Sequence, residues 1–243
     1  MTAPVSLLAA GAEGTRDLQI VEMFGPTFQG EGPRAGQLAS FVRLAQCNLA
    51  CRWCDSRFSW DWTRFDPRTE IRGLPVAEIV DWVLGQPAPL VVITGGEPLL
   101  QQQALIPLVD ALNSAGRRVE VETNGTIAPT GELIHAVAAF SVSPKLAHAG
   151  GRPARRLDPA ALRAFIASGK ATFKFVVTGP GDLDEVATVV DQFGLDPVWL
   201  MPEATDSSRL TTALRELADA ALARRWNLST RLHVLLWEDT RGR

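Results

Sequence analysis

Along this chain, short apolar runs alternate with stretches whose apolar residues recur at helical spacing. Residues 18–24 and 40–44 read as the first two strands. A helix is predicted over about 75–84, with Val76, Ile79, Val80 and Val83 on one face. Residues 90–93 form a short, wholly apolar strand. The next helix, about 100–115, carries Leu105, Leu108, Val109 and Leu112 and stops at Gly116. A strand at 118–121, a helix capped by Thr130 and running to about 139, and an extended run at 140–142 follow. Asp158 and Pro159 are an N-cap and first-turn proline for a helix through Leu162, Phe165 and Ile166. After a strand at 173–177, Asp182 and Glu185 give a capping-box-like start to a helix that ends at Gly194. A strand at 198–201, a helix at 209–226 and a last strand at 231–237 complete the pattern.

Such regular alternation implies parallel β/α units, about six of them, too few for a full eight-fold barrel. The expected fold is α/β, an incomplete parallel (β/α)6-type barrel. Residues 17–243 read as one domain and residues 1–16 as a flexible Ala/Gly tail, with no internal repeat. The polar clusters are not scattered. The cysteine-bearing segment follows the strand ending at Leu44. Thr94-Gly95-Gly96-Glu97-Pro98 follows Ile93, Glu122-Thr123-Asn124-Gly125 follows Val121, Ser143-Pro144-Lys145 follows Val142, and Met201-Pro202-Glu203-Ala204 ends another strand. In parallel β/α folds the C-terminal strand ends share one rim, where active sites are built.

Composition changes the picture little. Twenty-four basic and 27 acidic residues leave a formal charge of −3, so no electrostatic pull toward nucleic acid or anionic lipid is expected. No apolar run reaches membrane-spanning length, and the N-terminus lacks a basic start followed by an apolar block. The reading is a cytoplasmic protein with no nucleic-acid or membrane partner.

The cysteines change it most. The chain has three, Cys47, Cys51 and Cys54, all within eight residues. An odd, clustered set argues against a disulfide framework and for a metal or cluster site. The spacing C-x3-C-x2-C lets three thiolates converge on three corners of a 4Fe–4S cubane, leaving the fourth iron open. A structural zinc site normally takes four ligands, and the histidines at 135, 148 and 233 are remote in sequence. The other motifs are weaker alone. Residues 94–98 suit an ordinary βα turn, Arg43 an ion-pairing strand residue, Asp55 and Ser56 a turn cap, Phe28-Gln29-Gly30 a glycine turn, Lys145 a solvated lysine, and His233 a satisfied core histidine.

The cysteine spacing, with an aromatic residue before the last cysteine and a Gly-Gly-Glu-Pro segment after it, resembles the radical S-adenosylmethionine (SAM) superfamily. The resemblance implies an incomplete barrel of that kind. It implies SAM chelated at the open iron and cleaved to a 5′-deoxyadenosyl radical. Trp53 would lie against the adenosyl group, and Gly95 and Gly96 would face the methionine amino end. A narrower resemblance spans nearly the whole chain. Phe28-Gln29-Gly30-Glu31-Gly32, Phe41-Val42-Arg43-Leu44, Cys51-Arg52-Trp53-Cys54-Asp55-Ser56, Glu122-Thr123-Asn124-Gly125 and Ser143-Pro144-Lys145 are together similar to the 7-carboxy-7-deazaguanine synthase family. It implies conversion of 6-carboxy-5,6,7,8-tetrahydropterin to 7-carboxy-7-deazaguanine with loss of ammonia, on the way to queuosine and related deazapurines. It also implies catalytic use of SAM, a Mg²⁺ ion, a homodimer and an electron donor such as flavodoxin. Carried over by position, Glu122, Asn124, Ser143, Pro144, Lys145, Met201, Pro202, Glu203 and Ala204 would join Trp53, Gly95 and Gly96 at SAM. Phe28, Gln29, Gly30, Glu31, Arg43 and Thr94 would meet the substrate, and Ser56 the Mg²⁺, where the family commonly has threonine. Some members place a terminal proline carboxylate at the substrate, whereas this chain continues through residues 237–243. Two competing readings are an activase that abstracts hydrogen from a partner protein's glycine, and a cluster-bearing electron carrier. The first shares the cysteine spacing but has no use for Gln29 and Arg43. The second has no use for the glycine-rich and Ser-Pro-Lys loops.

Overall fold

A computed structural model describes residues 17–243; the tail expected over 1–16 lies outside them. The regular elements are β1 (Leu18–Phe28), β2 (Leu38–Leu44), α1 (Pro67–Glu70), β3 (Arg72–Leu74), α2 (Val76–Leu84), β4 (Leu90–Gly95), α3 (Gln102–Ser114), β5 (Arg118–Thr123) and α4 (Gly131–Ala136). They continue as β6 (Ala139–Val142), α5 (Pro153–Arg156), α6 (Pro159–Ser168), β7 (Ala171–Val177), α7 (Leu183–Phe193), β8 (Val198–Pro202), α8 (Ser207–Ala223), β9 (Asn227–Leu228) and α9 (Leu232–Trp237).

The strands form one sheet in the order β3-β1-β2-β4-β5-β6-β7-β8-β9. From β2 through β9 every pairing is parallel. The six strands β2, β4, β5, β6, β7 and β8 are the expected units, and with the intervening helices they make the incomplete barrel. The wholly apolar strands fit because parallel strands are covered on both faces. Val91, Val92 and Ile93 of β4 are fully buried, and so are Phe173 and Phe175 of β7. Ile79 and Val83 of α2 and Leu105, Leu108, Val109 and Leu112 of α3 join one core with Val91, Ile93, Phe173 and Phe175, as their spacing predicted, while Val92 packs with Ala39, Phe41 and Leu90. Each such side chain contributes about 1.5–3 kcal/mol. Among the described residues, no helix is long and apolar enough to cross a membrane.

Three local expectations give way. First, β1 is antiparallel to β2, and β3 pairs antiparallel to the other side of β1, so this edge of the sheet is a set of antiparallel strands and not another β/α unit. Second, residues 231–237 are not a strand: Leu232–Trp237 is helical. A short apolar run has no period that separates the two. Here Val234 packs with Ala204 and Leu210 while Leu235 and Leu236 stay exposed, a one-sided helical pattern. Third, Asp182 does not cap α7. Its carboxylate accepts hydrogen bonds from the Thr178 N–H and hydroxyl, and Glu185 accepts from the Ala147 N–H. By contrast Asp158 caps α6 through Ala160 and Ala161, and Thr130 caps α4, as read from sequence.

Candidate active site

The parallel register sets the rim. Arg43 lies level with Thr94, Leu44 with Gly95, and Thr123 with Val142. Beyond Leu44 the chain turns through Gln46, whose φ of 74° is unusual for a residue with a side chain. Its backbone is held on both sides: the N–H donates to Ser59 O (2.7 Å) and the carbonyl accepts from Glu97 N–H (2.7 Å). The two glycines explain how β4 can come so close. A Cβ at Gly95, whose φ is +151°, would lie 2.4 Å from Leu44 O; one at Gly96 would lie 2.0 Å from Gln46 O. What these glycines demonstrably admit is the cysteine loop's own backbone. Glu97 then ties that loop to the next strand. Fully buried, it accepts from Leu99 N–H, Thr123 Oγ1 and Asn124 N–H, and burial pushes its carboxyl upward.

Cys47, Cys51 and Cys54 are free thiols, and all three line one cavity at this rim. Among the described residues no three His, Cys, Asp or Glu side chains are placed to hold a single metal ion. A mononuclear site would need such convergence; a cubane takes each thiolate on a different iron. Burial pushes the Cys47 thiol up to about 12 and raises Cys51 as well. At Cys47 and Cys51 burial favours the protonated thiol, and metal coordination would remove the proton. The donor set therefore fits a 4Fe–4S cluster with one open iron.

Trp53, Asn124, Ser143, Lys145, Met201, Pro202 and Glu203 line the same cavity. Lys145 donates to Ser143 Oγ (2.8 Å) and sits 5.4 Å above the Trp53 ring, whose buried Nε1 has no hydrogen-bond partner. Asn124 turns its amide to Asn48 (2.9 Å) beside Cys47. Pro144 and Ala204 stand behind the wall: the first is buried outside the lining, and the second packs on Leu210 and Val234 and gives its carbonyl to Arg231. Glu122 sits among the residues expected at the substrate, accepting from Gln29 Nε2 (3.1 Å) and Thr94 Oγ1 (2.9 Å). Phe28, half exposed at the mouth, stacks on Trp237. Gly30 lies under His233; a Cβ there would be 2.0 Å from His233 Nδ1.

The comparisons agree with this geometry. The radical SAM superfamily model matches residues 42–143, from β2 to the Ser-Pro-Lys loop. A 7-carboxy-7-deazaguanine synthase of Pyrobaculum aerophilum is 40% identical over 94% of this chain and 99% of that protein. One from Hyperthermus butylicus is 38% identical over 90% of this chain and 92% of that protein. The chain belongs to the 7-carboxy-7-deazaguanine synthase family. The crystal structure of QueE from Escherichia coli superposes on this family member with a TM-score of 0.66, at 28% identity, covering 89% of this chain and 95% of that one.

This member of the synthase family also has site residues that sequence reasoning passed over, Lys174, Arg231, Glu22 and Arg241, gathered around the expected Glu31 and Arg43. Glu31 is buried in ion pairs with Lys174 and Arg231. Burial opposes its charge, but the two cations win and hold its carboxyl well below the usual range. Burial likewise works against Lys174, and the Glu31 and Glu122 carboxylates more than offset it, so Lys174 stays charged. Arg231 also reaches Asp55 Oδ2 (2.6 Å), next to Ser56. Arg43 donates to Glu22 (2.8 Å), which also takes Arg241 (2.8 Å). Arg241 lies 3.7 Å over the Phe58 ring, so residues 239–243 border the cavity mouth. His233 lines the cavity too, with its pKa lowered by burial. One lysine inside the apolar Phe173–Val177 run was a readable signal. Glu22 and Arg241 meet only through the fold.

Proposed function

We propose that this chain converts 6-carboxy-5,6,7,8-tetrahydropterin to 7-carboxy-7-deazaguanine with loss of ammonia. The observation that carries this reading is the gathering of three free thiols with Gln29, Arg43, Thr94 and Glu122 on a single cavity. Cys47, Cys51 and Cys54 would hold the 4Fe–4S cluster. Trp53, Gly95, Gly96, Asn124, Ser143, Lys145, Met201, Pro202 and Glu203 would surround SAM. When bound, the cluster and SAM supply the hydrogen-abstracting radical chemistry. The protein's part is to bind and orient. Glu122 would hold Gln29 and Thr94, which both line the cavity, at the edge of the heterocycle. Arg43 offers a guanidinium fork for the substrate carboxylate, which competes there with Glu22. Ser56 would ligate Mg²⁺: it lines the cavity, its hydroxyl lies 3.7 Å from Cys54 Sγ, and Mg²⁺ accepts few protein ligands beside substrate oxygens and water. A homodimer and an external low-potential electron donor such as flavodoxin belong to the same reading.

The activase alternative needs a groove that admits a protein loop. Arg241 bridging Glu22 and Glu70 across the mouth, over Phe58, favours a small substrate instead. The test is product: reduced, reconstituted protein given the carboxylated tetrahydropterin, Mg²⁺ and SAM forms 7-carboxy-7-deazaguanine. Cleavage of SAM with no deazapurine would return the activase reading. Ser56→Ala is expected to weaken the response of rate to Mg²⁺ while iron content and SAM binding stay intact. An unchanged Mg²⁺ dependence would assign the ion elsewhere.

A further inference from the structure

Trp60 is not among the residues that the motifs single out, yet it makes the shortest N–H contact to any of the three sulfurs among the described residues. Its indole Nε1 donates to Cys54 Sγ at 3.2 Å. The Leu49 N–H stands 3.4 Å from Cys47 Sγ, and Asn124 Nδ2 3.9 Å from the same atom. The backbone that carries the ring is held independently of that bond. Trp60 ends a tight turn over Arg57–Ser59, where its own N–H donates to Arg57 O (3.0 Å). Ser59, fully buried, fastens the turn in both directions. Its hydroxyl and N–H donate to Ser56 O (2.7 and 2.9 Å), and its carbonyl accepts from Gln46 N–H just before Cys47. The turn thus holds Trp60 beside Cys54, within reach of its sulfur.

We infer that Trp60 is a positioning residue for the cluster's electronics: its indole N–H donates to the Cys54 thiolate and stabilises the one-electron-reduced cluster over the oxidised one. The inference rests on the cluster reading above. The physical reason is charge. When a low-potential one-electron reductant gives its electron to the cluster, negative charge spreads onto the ligating sulfurs, and no bond forms or breaks. A fixed donor at one sulfur favours the more negative state, and hydrogen bonds to sulfur are among the features that set such potentials. The cavity makes this stronger, because Cys54 and Trp60 are partly shielded from water and a hydrogen bond in such surroundings is less screened.

The experiment compares wild type, Trp60→Phe and, as a control, Trp62→Phe, whose indole lines neither cavity beside the cysteine loop. Each is reconstituted anaerobically, its iron is counted, and the midpoint potential is found by titration followed by electron paramagnetic resonance. Trp60→Phe is expected to hold its cluster but reduce about tenfold less favourably, a shift of about 59 mV to lower potential for one electron. Trp62→Phe should match wild type. An unchanged potential in loaded Trp60→Phe overturns the inference and leaves the cluster reading untouched. Wild type that takes up no iron is a failure of the cluster reading itself. If Trp60→Phe does not load, wild type labelled with ¹⁵N-tryptophan decides the matter. The reduced cluster should show hyperfine coupling to an indole nitrogen, lost on Trp60→Phe replacement in any residual loaded fraction, and no such coupling in wild type overturns the inference.

Discussion

Cys51→Ser protein, reconstituted anaerobically with iron and sulfide, is expected to lose most of its iron and all measurable turnover, while wild type takes up about four irons per chain. Cys51 stands in the middle of the loop, in a site that is expensive for a thiolate without metal, since burial raises its pKa. Serine keeps the size but offers a poorer, protonated ligand, and two cysteines cannot hold a cubane whose fourth iron is already open. The fold should survive, because the loop is fastened by Gln46, Ser59 and Glu97 and not by the thiols. Iron analysis, visible absorption and circular dichroism on the same sample check both halves. Full iron retention in the variant would remove Cys51 from the ligand set.

The second large effect concerns stability. Lys174→Met is expected to lower the stability of the folded protein by about 3–5 kcal/mol, the cost of leaving a buried charge short of its partner. The thermal midpoint should fall by roughly 6–20 °C at this chain length. Glu31 would keep Arg231, so the lower half of that range is the better expectation. The pH dependence follows from the sign of the shift. Glu31 has its folded-state pKa depressed, so the ion pair's contribution is fully present above the ordinary glutamate value of about 4.3 and is lost as pH falls toward the folded value. The gap between wild type and variant should therefore be constant near neutrality and narrow below about pH 4. Thermal melts of the loaded proteins across pH measure it. A constant gap at all pH values would show that Lys174 acts through packing alone.

How much of this was legible in the sequence differs from element to element. The parallel core was, because strands such as Leu90–Gly95 are apolar on both faces and the helices between them keep a clean 3.6-residue stripe. The gathering of the cysteines was, because three thiols within eight residues need no tertiary information. The rim was, because every polar cluster follows a predicted strand. Residues 231–237 were not: one buried valine among exposed leucines has no strand-like or helical signature until α8 is in place beside it. The glycines of the 94–98 turn line the cavity, and they are needed for a second reason that was not legible: the contacts that forbid a Cβ there come from residues 44 and 46, some fifty positions earlier. The ion network was invisible for the same reason. Glu31, Lys174 and Arg231 are far apart in the chain and are brought together only by the strand order.

In the proposed function the rim holds substrate, metal and SAM together through a ring contraction that uses SAM catalytically. The most direct measurement supplies reduced enzyme with Mg²⁺, a small amount of SAM, and carboxylated tetrahydropterin deuterated at the abstracted position. The expected result is 7-carboxy-7-deazaguanine in molar excess over SAM, with deuterium in the 5′ position of the recovered cofactor. Accumulation of 5′-deoxyadenosine one-for-one with turnover, and no label in recovered SAM, would contradict it.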